Sequence, residues 1–279
     1  MLQLQQTSAP TVEPVTRAEA KNWAKIDITD DDAIVDALVT AARRKVEQLC
    51  RRQLVQATWK LSLDEFPAGD ELIVLPRPPL LSVSSVKYVD TAGVTTTLAA
   101  AKYHVQGDGE PARLVPAYGE VWPETREQLG AVTVTYIAGH AAEMTAVAAT
   151  DVLTVSARTF ADGDKVRLWS QNGTAAGTLP GGLAVATDYY VRDYTANTFK
   201  LAATSGGAAI DVTSAGTGTH YVGLVPEELL QAIKILAAEL YLNREASRPE
   251  GINILPFAFE ALIAPYVQHY DGAWAVEAA

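Results

Sequence analysis

Apolar residues recur at three- and four-residue steps near both ends of the chain, and at two-residue steps between them. Val35, Leu38, Ala42, Val46 and Leu49 form one such stripe and predict an amphipathic helix from Thr29 or Asp30 to about Gln53. Asp30, Asp31 and Asp32 open it, and Arg43, Arg44, Lys45, Arg51 and Arg52 close it, an order that complements the helix dipole. Upstream, Thr16 and Glu19 have the spacing of a capping box, so a short helix is expected there with Trp23 on its buried side. Near the other end, Leu229, Ile233, Leu236 and Leu240 make one stripe, and Ile235, Ala238 and Leu242 make a second on a different face. A surface helix needs one stripe, so two predict a central helix or one shared with another subunit. Pro226 is expected at the first helical position, and a last helix is expected over 257–264, kinked or ended by Pro265.

Period two marks the strands. Segments 58–63, 71–75, 83–89, 103–106, 113–115 and 131–137 read as strands, the last being the most β-branched. Composition then shifts: residues 145–222 hold no Glu, while Thr and Gly are dense. Segments 152–155, 165–169, 189–192 and 198–201 are strand-like, with Asn172-Gly, Pro180-Gly-Gly and Ser205-Gly-Gly as turns. Strands this short and closely spaced predict a small barrel or sandwich. The expected fold class is therefore α+β: a helical part combined with an antiparallel sheet, carrying an all-β insert domain. The expected division is 1–143 and 223–279 for the core and 144–222 for the insert.

Charge and chemistry narrow the function. A formal net charge of -11 argues against a surface that grips DNA phosphates throughout. The first fourteen residues lack a basic region followed by a long apolar run, so no secretory signal is expected, and no run of about 18 apolar residues predicts a membrane span. His104, His140, His220 and His269 are scattered singly, without metal-ligand spacing. Asp162-Gly-Asp164 lacks the later ligands of a calcium loop and reads as a turn. Asp64-Glu65 reads as a solvated strand end, and Cys50, the single cysteine, as a small buried apolar residue. Arg43, Arg44, Lys45, Arg51 and Arg52 form the one basic cluster and read as a helix C-terminus. Trp122 sits in a long connection over 116–130, either pinning that loop to its own sheet or meeting a partner.

Several segments appear in a familiar order: 43–54 (RRKVEQLCRRQL), Ala57-Thr-Trp-Lys-Leu, 75–90 (LPRPPLLSVSSVKYVD), Trp122-Pro123, 132–139 (VTVTYIAG), Val225-Pro-Glu-Glu-Leu, 237–241 (AAELY) and 261–266 (ALIAPY). This ordered set resembles the head–tail connector, or adaptor, proteins of tailed phages, prophages and gene transfer agents, over about 15–139 and 225–270. Segments 178–184, 187–191 and 196–202 resemble a β module of other phage structural proteins. The resemblance implies a ring, usually of twelve copies, below the portal. Such a ring extends the DNA channel and docks the next tail-side protein. The implied partners are other copies of the chain, the portal protein, a tail-side neck or tail completion protein, and double-stranded DNA passing without sequence-specific contact; no membrane is implied. The implied location is the virion neck, after synthesis in the host cytoplasm. No catalytic residue, cofactor or metal is expected. The interface candidates are Leu229, Ile233, Leu236, Leu240, Ile235, Leu242 and Trp122, with Trp274 in the tail at 271–279 as the portal anchor. Two other readings compete. A glycan- or surface-binding module would expose Trp169, Tyr189 or Tyr190 on the insert. A hydrolase with a β accessory domain would show a deep pocket with pKa-perturbed groups.

Overall fold

The computed structural model describes residues 2–69, 71–155, 157–172, 175–243 and 257–269. The chain forms two compact units, one from Met1–Pro10, Arg51–Gly139 and Gln268–Ala279, the other from Thr11–Cys50 and His140–Val267.

The first unit is built on an antiparallel sheet of five strands: β1 (Leu2–Ser8), β2 (Ala57–Leu63), β4 (Leu80–Val89), β5 (Thr95–Leu98) and β8 (Val132–Ala138). They lie in the order β1-β2-β8-β4-β5. The alternation of β2 and β8 does what period two requires, since successive side chains leave opposite faces. Trp59, Leu61 and Leu63 of β2 and Val132, Val134 and Tyr136 of β8 all point into one core, with Leu61 opposite Val134 and Trp59 opposite Tyr136. Their polar ends are satisfied there: Tyr136 Oη donates to the Pro76 carbonyl at 2.7 Å and Trp59 Nε1 to Gln53 Oε1 at 3.1 Å. A smaller sheet of β3 (Ile73–Leu75), β6 (Tyr103–Gln106) and β7 (Ala112–Pro116) adds Ile73, Leu75 and Leu114 to the core. Gly139 ends β8 at φ +150°, where a Cβ would meet the Gln56 nitrogen at 2.7 Å.

The second unit combines helices with a barrel. Helix α1 (Arg17–Ala24) starts at the expected capping box, with Glu19 N donating to Thr16 Oγ1 and Thr16 N donating to Glu19 Oε2. Helices α2 (Asp32–Cys50), α3 (Glu227–Leu242) and α4 (Phe257–Ile263) pack with it. The strands are β9 (Ala141–Val147), β10 (Val152–Val155), β11 (Lys165–Asn172), β12 (Ala175–Ala176), β13 (Tyr189–Thr195), β14 (Thr198–Ala202) and β15 (Thr219–Gly223). They run in the order β12-β11-β13-β14-β10-β9-β15, and β11 also pairs with β15. Six strands therefore close on themselves, which removes the unpaired edges that an open sheet would present. Leu153, Leu168, Val191, Phe199, Leu201 and Val222 are buried.

This architecture corrects the expected fold class. The described residues are mostly β, with strands in three antiparallel sheets and four short helices. The helices do not stand as a part of their own beside a β insert; they share one unit with the seven-stranded sheet. The α+β reading overweighted two strong helical stripes and passed over five weakly patterned strands. β1 has only Leu2 and Leu4 as inward signals, β9 is rich in Ala, β5 is mostly Thr, β12 is two residues, and β15 is a His-Tyr-Val run beside Gly. Two smaller expectations also change. Pro226 is the N-cap of α3, at φ -51° and ψ 134°, rather than its first helical residue. Trp23 is 48% exposed rather than buried, and Ala20 takes the inward position on α1.

Candidate interaction surfaces

Helix α3 carries most of the predicted interface residues, and the structure separates them by face. Leu229, Ile233 and Leu236 are buried in the protein's own core, together with Leu230, Ala232 and Ala237. Leu240 stands at the edge of that face, Ile235 is half-buried, and Leu242 is 71% exposed. Most of the first stripe is thus consumed within the subunit, with Leu240 exposed at its end, while the second is half-buried at Ile235 and Ala238 and open at Leu242. Trp122 is buried: its ring stacks on Phe66 at 4.9 Å between centroids, and Nε1 donates to the Glu71 carbonyl at 2.8 Å. It pins its loop to its own sheet and leaves Tyr118, Val121 and Leu129 as the exposed apolar residues there. Trp274 lies outside the described residues.

Helix α2 shows a similar division. Val35, Val39, Ala42, Val46 and Cys50 form the buried stripe, so Leu38 and Leu49 are half-buried flanks of it. Two charges share the buried side. Arg43 grips Glu13 through Nε at 2.6 Å and Nη2 at 3.2 Å, and Glu47 through Nη1 at 2.6 Å. Burial pulls the Arg43 pKa down, but the two carboxylates outweigh it and hold the guanidinium above its ordinary value. The predicted basic cluster is therefore divided: Arg43 is an internal clamp on the segment before α1, and Arg52 pairs with Glu110 at 2.6 Å. Arg44 and Lys45 face solvent. The apolar stripe of α2 marks its inward side; the outward side is marked only by the exposed run Ile34, Ala37, Ala41 and Gln48.

A groove of about 1100 Å³ runs in the second unit along the segment before α1, past α1 and α2, to Trp169 and Val185. Four of its charged residues pair across it. Arg17 donates to Asp36 through Nε at 2.8 Å and to Asp32 through Nη1 at 3.0 Å, and Lys21 Nζ reaches Asp32 at 2.6 Å. The hydrogen bond to Asp36 is the main reason that Arg17 is raised above the ordinary arginine range. The Lys21 hydrogen bond holds the Asp32 carboxyl below the usual carboxylate range. Both shifts fix the charged forms, the reverse of what a proton-transferring group near neutral pH needs. The arrangement acts as an ionic latch between α1 and α2.

The remaining candidates take local structural roles. Asp162 and Asp164 build a turn: Asp164 Oδ2 accepts from Ala161 N at 2.8 Å, Asp162 Oδ1 accepts from Tyr194 N at 2.9 Å, and Gly163 between them has φ +94°. His220 lies opposite Ser170 across β15 and β11, with Nδ1 2.9 Å from Ser170 Oγ and Nε2 2.9 Å from the Ala215 carbonyl. It ties the 215–217 turn to the barrel wall. Asp64 Oδ1 accepts from Gly130 N at 2.9 Å. Among the described residues no group of three or more His, Cys, Asp or Glu is placed to hold a metal ion, and no helix is long and apolar enough to cross a membrane. Of the aromatics on the barrel, Trp169 and Tyr189 are buried and Tyr190 is half-buried. Trp169 Nε1 donates to the Pro14 carbonyl at 3.2 Å, so its indole is spent on holding the segment before α1.

No family model and no curated protein sequence matches the chain. Solved structures do. A chain in the virion of a native gene transfer agent particle aligns over 97% of this chain and 97% of its own length, with a TM-score of 0.56 and 18% identity. A chain in the neck of the empty particle, computed with C6 symmetry, aligns over 97% and 98%, with a TM-score of 0.56 and 18% identity. A chain in the neck of the native particle, computed with C12 symmetry, gives the same coverage, a TM-score of 0.53 and 19% identity. The likeness spans nearly the whole chain and shows a shared fold.

Proposed function

We propose that this chain is a structural subunit of the neck of a tailed phage or phage-like particle. The carrying observation is its end-to-end likeness in fold to chains from gene transfer agent virions and necks. The ordered connector-like segments in the sequence point the same way independently. In this reading the subunit joins a ring, of twelve copies by analogy with the C12 neck, located below the portal. The ring lengthens the DNA channel and offers its far side to the next tail-side protein. Its role is mechanical and not catalytic: Arg17, Lys21, Asp32 and Asp36 in the groove are locked in ion pairs, and the barrel aromatics Trp169 and Tyr189 are committed to packing. The tail at 271–279, with Trp274, is the segment proposed to engage the portal.

Self-association has a physical basis in the apolar surface left over after the subunit's own core is filled. Cyclic symmetry makes each contact heterologous, so a subunit must carry two different complementary patches. The net charge of -11 suits a channel that repels DNA and lets it slide. Negative-stain imaging of the purified chain, alone and with a portal ring, tests the proposal. Closed rings of one symmetry support it; single subunits that neither assemble nor bind a portal contradict it.

A further inference from the structure

The outward sides of α2 and α3 are each a strip of a kind that a partner helix fits. On α2, Ile34, Ala37, Ala41, Arg44 and Gln48 follow one another at steps of three and four and are all exposed, opposite the buried stripe of Val35, Val39 and Val46. On α3, Glu228, Ile235 and Leu242 follow at seven-residue steps, Glu228 and Leu242 exposed and Ile235 half-buried, while Gln231 and Ala238 between them are half-buried and Ala238 borders a small cavity shared with α1 and α2. Steps of three and four are the spacing of knobs-into-holes packing.

We infer that copies of this chain associate through α2 of one copy and α3 of the next, with the two outward strips antiparallel. Leu242 then lies by Ile34, Ile235 by Ala41, and Glu228 by Gln48, with Arg44 one turn away. The match in register carries the inference. Ile34, Ala41 and Gln48 are seven residues apart, as are Leu242, Ile235 and Glu228, which is about 10 Å per step along either axis. The bulky Ile235 meets the small Ala41, where backbones approach closely. Charge agrees as well. Among the described residues neither Arg44 nor Lys45 has an ion-pair partner, and Glu228, bonded by the Tyr266 hydroxyl at 2.8 Å, is exposed at the acidic start of α3. The alternatives match less well. A parallel pairing sets Glu228 against Ile34 and Leu242 against Gln48. Two copies of α3 related by a twofold axis set Glu228 against Leu242, and two copies of α2 set Ile34 against Gln48. The contact is thus heterologous, as a ring requires. A stable contact needs about 1,000 Å² or more, so this strip sets the register and other surfaces complete the area. The inference rests on the ring reading above and adds which faces meet, and in which direction.

Cysteine cross-linking tests it cleanly, because the single natural cysteine, Cys50, is fully buried. The double variant Ile34→Cys, Leu242→Cys is expected to give a ladder of covalent multimers with a short thiol-specific cross-linker. Each single variant alone is expected to give none, and a mixture of the two single variants is expected to stop at dimers. Self-linking single variants, or assembled rings of the double variant that do not link, overturn the inference while leaving the ring reading intact. Wild-type protein that stays a single subunit, with or without a portal ring, overturns both. As a second readout, Leu242→Asp is expected to weaken association at least tenfold with an unchanged thermal midpoint; unchanged association overturns the inference. Arg44→Glu with Lys45→Glu is expected to weaken it roughly fivefold, and Glu228→Lys is expected to restore it; a weakening that Glu228→Lys does not relieve counts against this register.

Discussion

The two faces of α3 have the same chemistry and opposite fates. Leu229, Ile233 and Leu236 are sealed within their own unit, whereas Ile235 and Leu242 face out from the same sixteen residues. A fully buried aliphatic side chain is worth roughly 1.5–3 kcal/mol, and an exposed one gains nothing until a partner covers it. The inward face therefore explains why the subunit folds, and the outward face is what a neighbouring copy would cover in the proposed ring. Helix α2 repeats the division, with Val39 and Val46 inside and Ile34 and Ala41 outside.

Substitutions on the two faces should separate these roles. The largest effect is expected from Leu236→Asp, which places a carboxylate at a position only 5% exposed. It should lower stability by about 4 kcal/mol or more, seen as loss of a cooperative thermal transition; a variant folded normally would contradict the inward assignment. Arg43→Ala should cost about 3–5 kcal/mol, because it removes the buried guanidinium that both Glu13 and Glu47 bind. Denaturant titration measures it, and a change below 1 kcal/mol would show that the clamp is dispensable. Trp122→Ala should cost about 3 kcal/mol through the lost stack on Phe66, with association untouched if the indole serves only its own loop. Leu242→Asp belongs at the other extreme, with less than about 0.5 kcal/mol lost in stability and the change confined to assembly.

The smallest effect concerns pH. The Lys21 and Arg17 contacts hold the Asp32 carboxyl below its usual 3.8, so its folded pKa is depressed. A depressed carboxylate contributes stability that is present above the unfolded value and lost as the pH falls through the folded one. Acid unfolding of wild type should thus steepen below about pH 4, and Asp32→Asn should remove that part of the pH dependence by losing the contribution at neutral pH, so that the two curves converge in acid. Identical acid-unfolding curves would show that the latch does not contribute.

Much of the fold was legible where one signal dominated. Thr16 and Glu19 announced α1, and the alternation of 131–137 announced a core strand that runs over Val132–Ala138. Trp23 misled because a large aromatic on a short helix was assumed to face inward, whereas the small Ala20 allows the helices to approach. The weak strands were hidden because their stability comes from pairing and closure and not from their own pattern. β15 has a partner on each side, β9 and β11, and its Gly223 lies so close to the His140 carbonyl that a Cβ would stand 2.1 Å from it. No period in the sequence carries that information. The interaction surface was half legible: two stripes on α3 were visible, but which one the core consumes depends on α2 and α4 packing beside it.

The most direct test is the mass of the assembled particle, measured by native mass spectrometry of the full chain with and without a portal ring. A closed species of twelve copies, lost in Leu242→Asp and kept in Tyr118→Ser, is the predicted result. A homogeneous single subunit under both conditions would contradict the account.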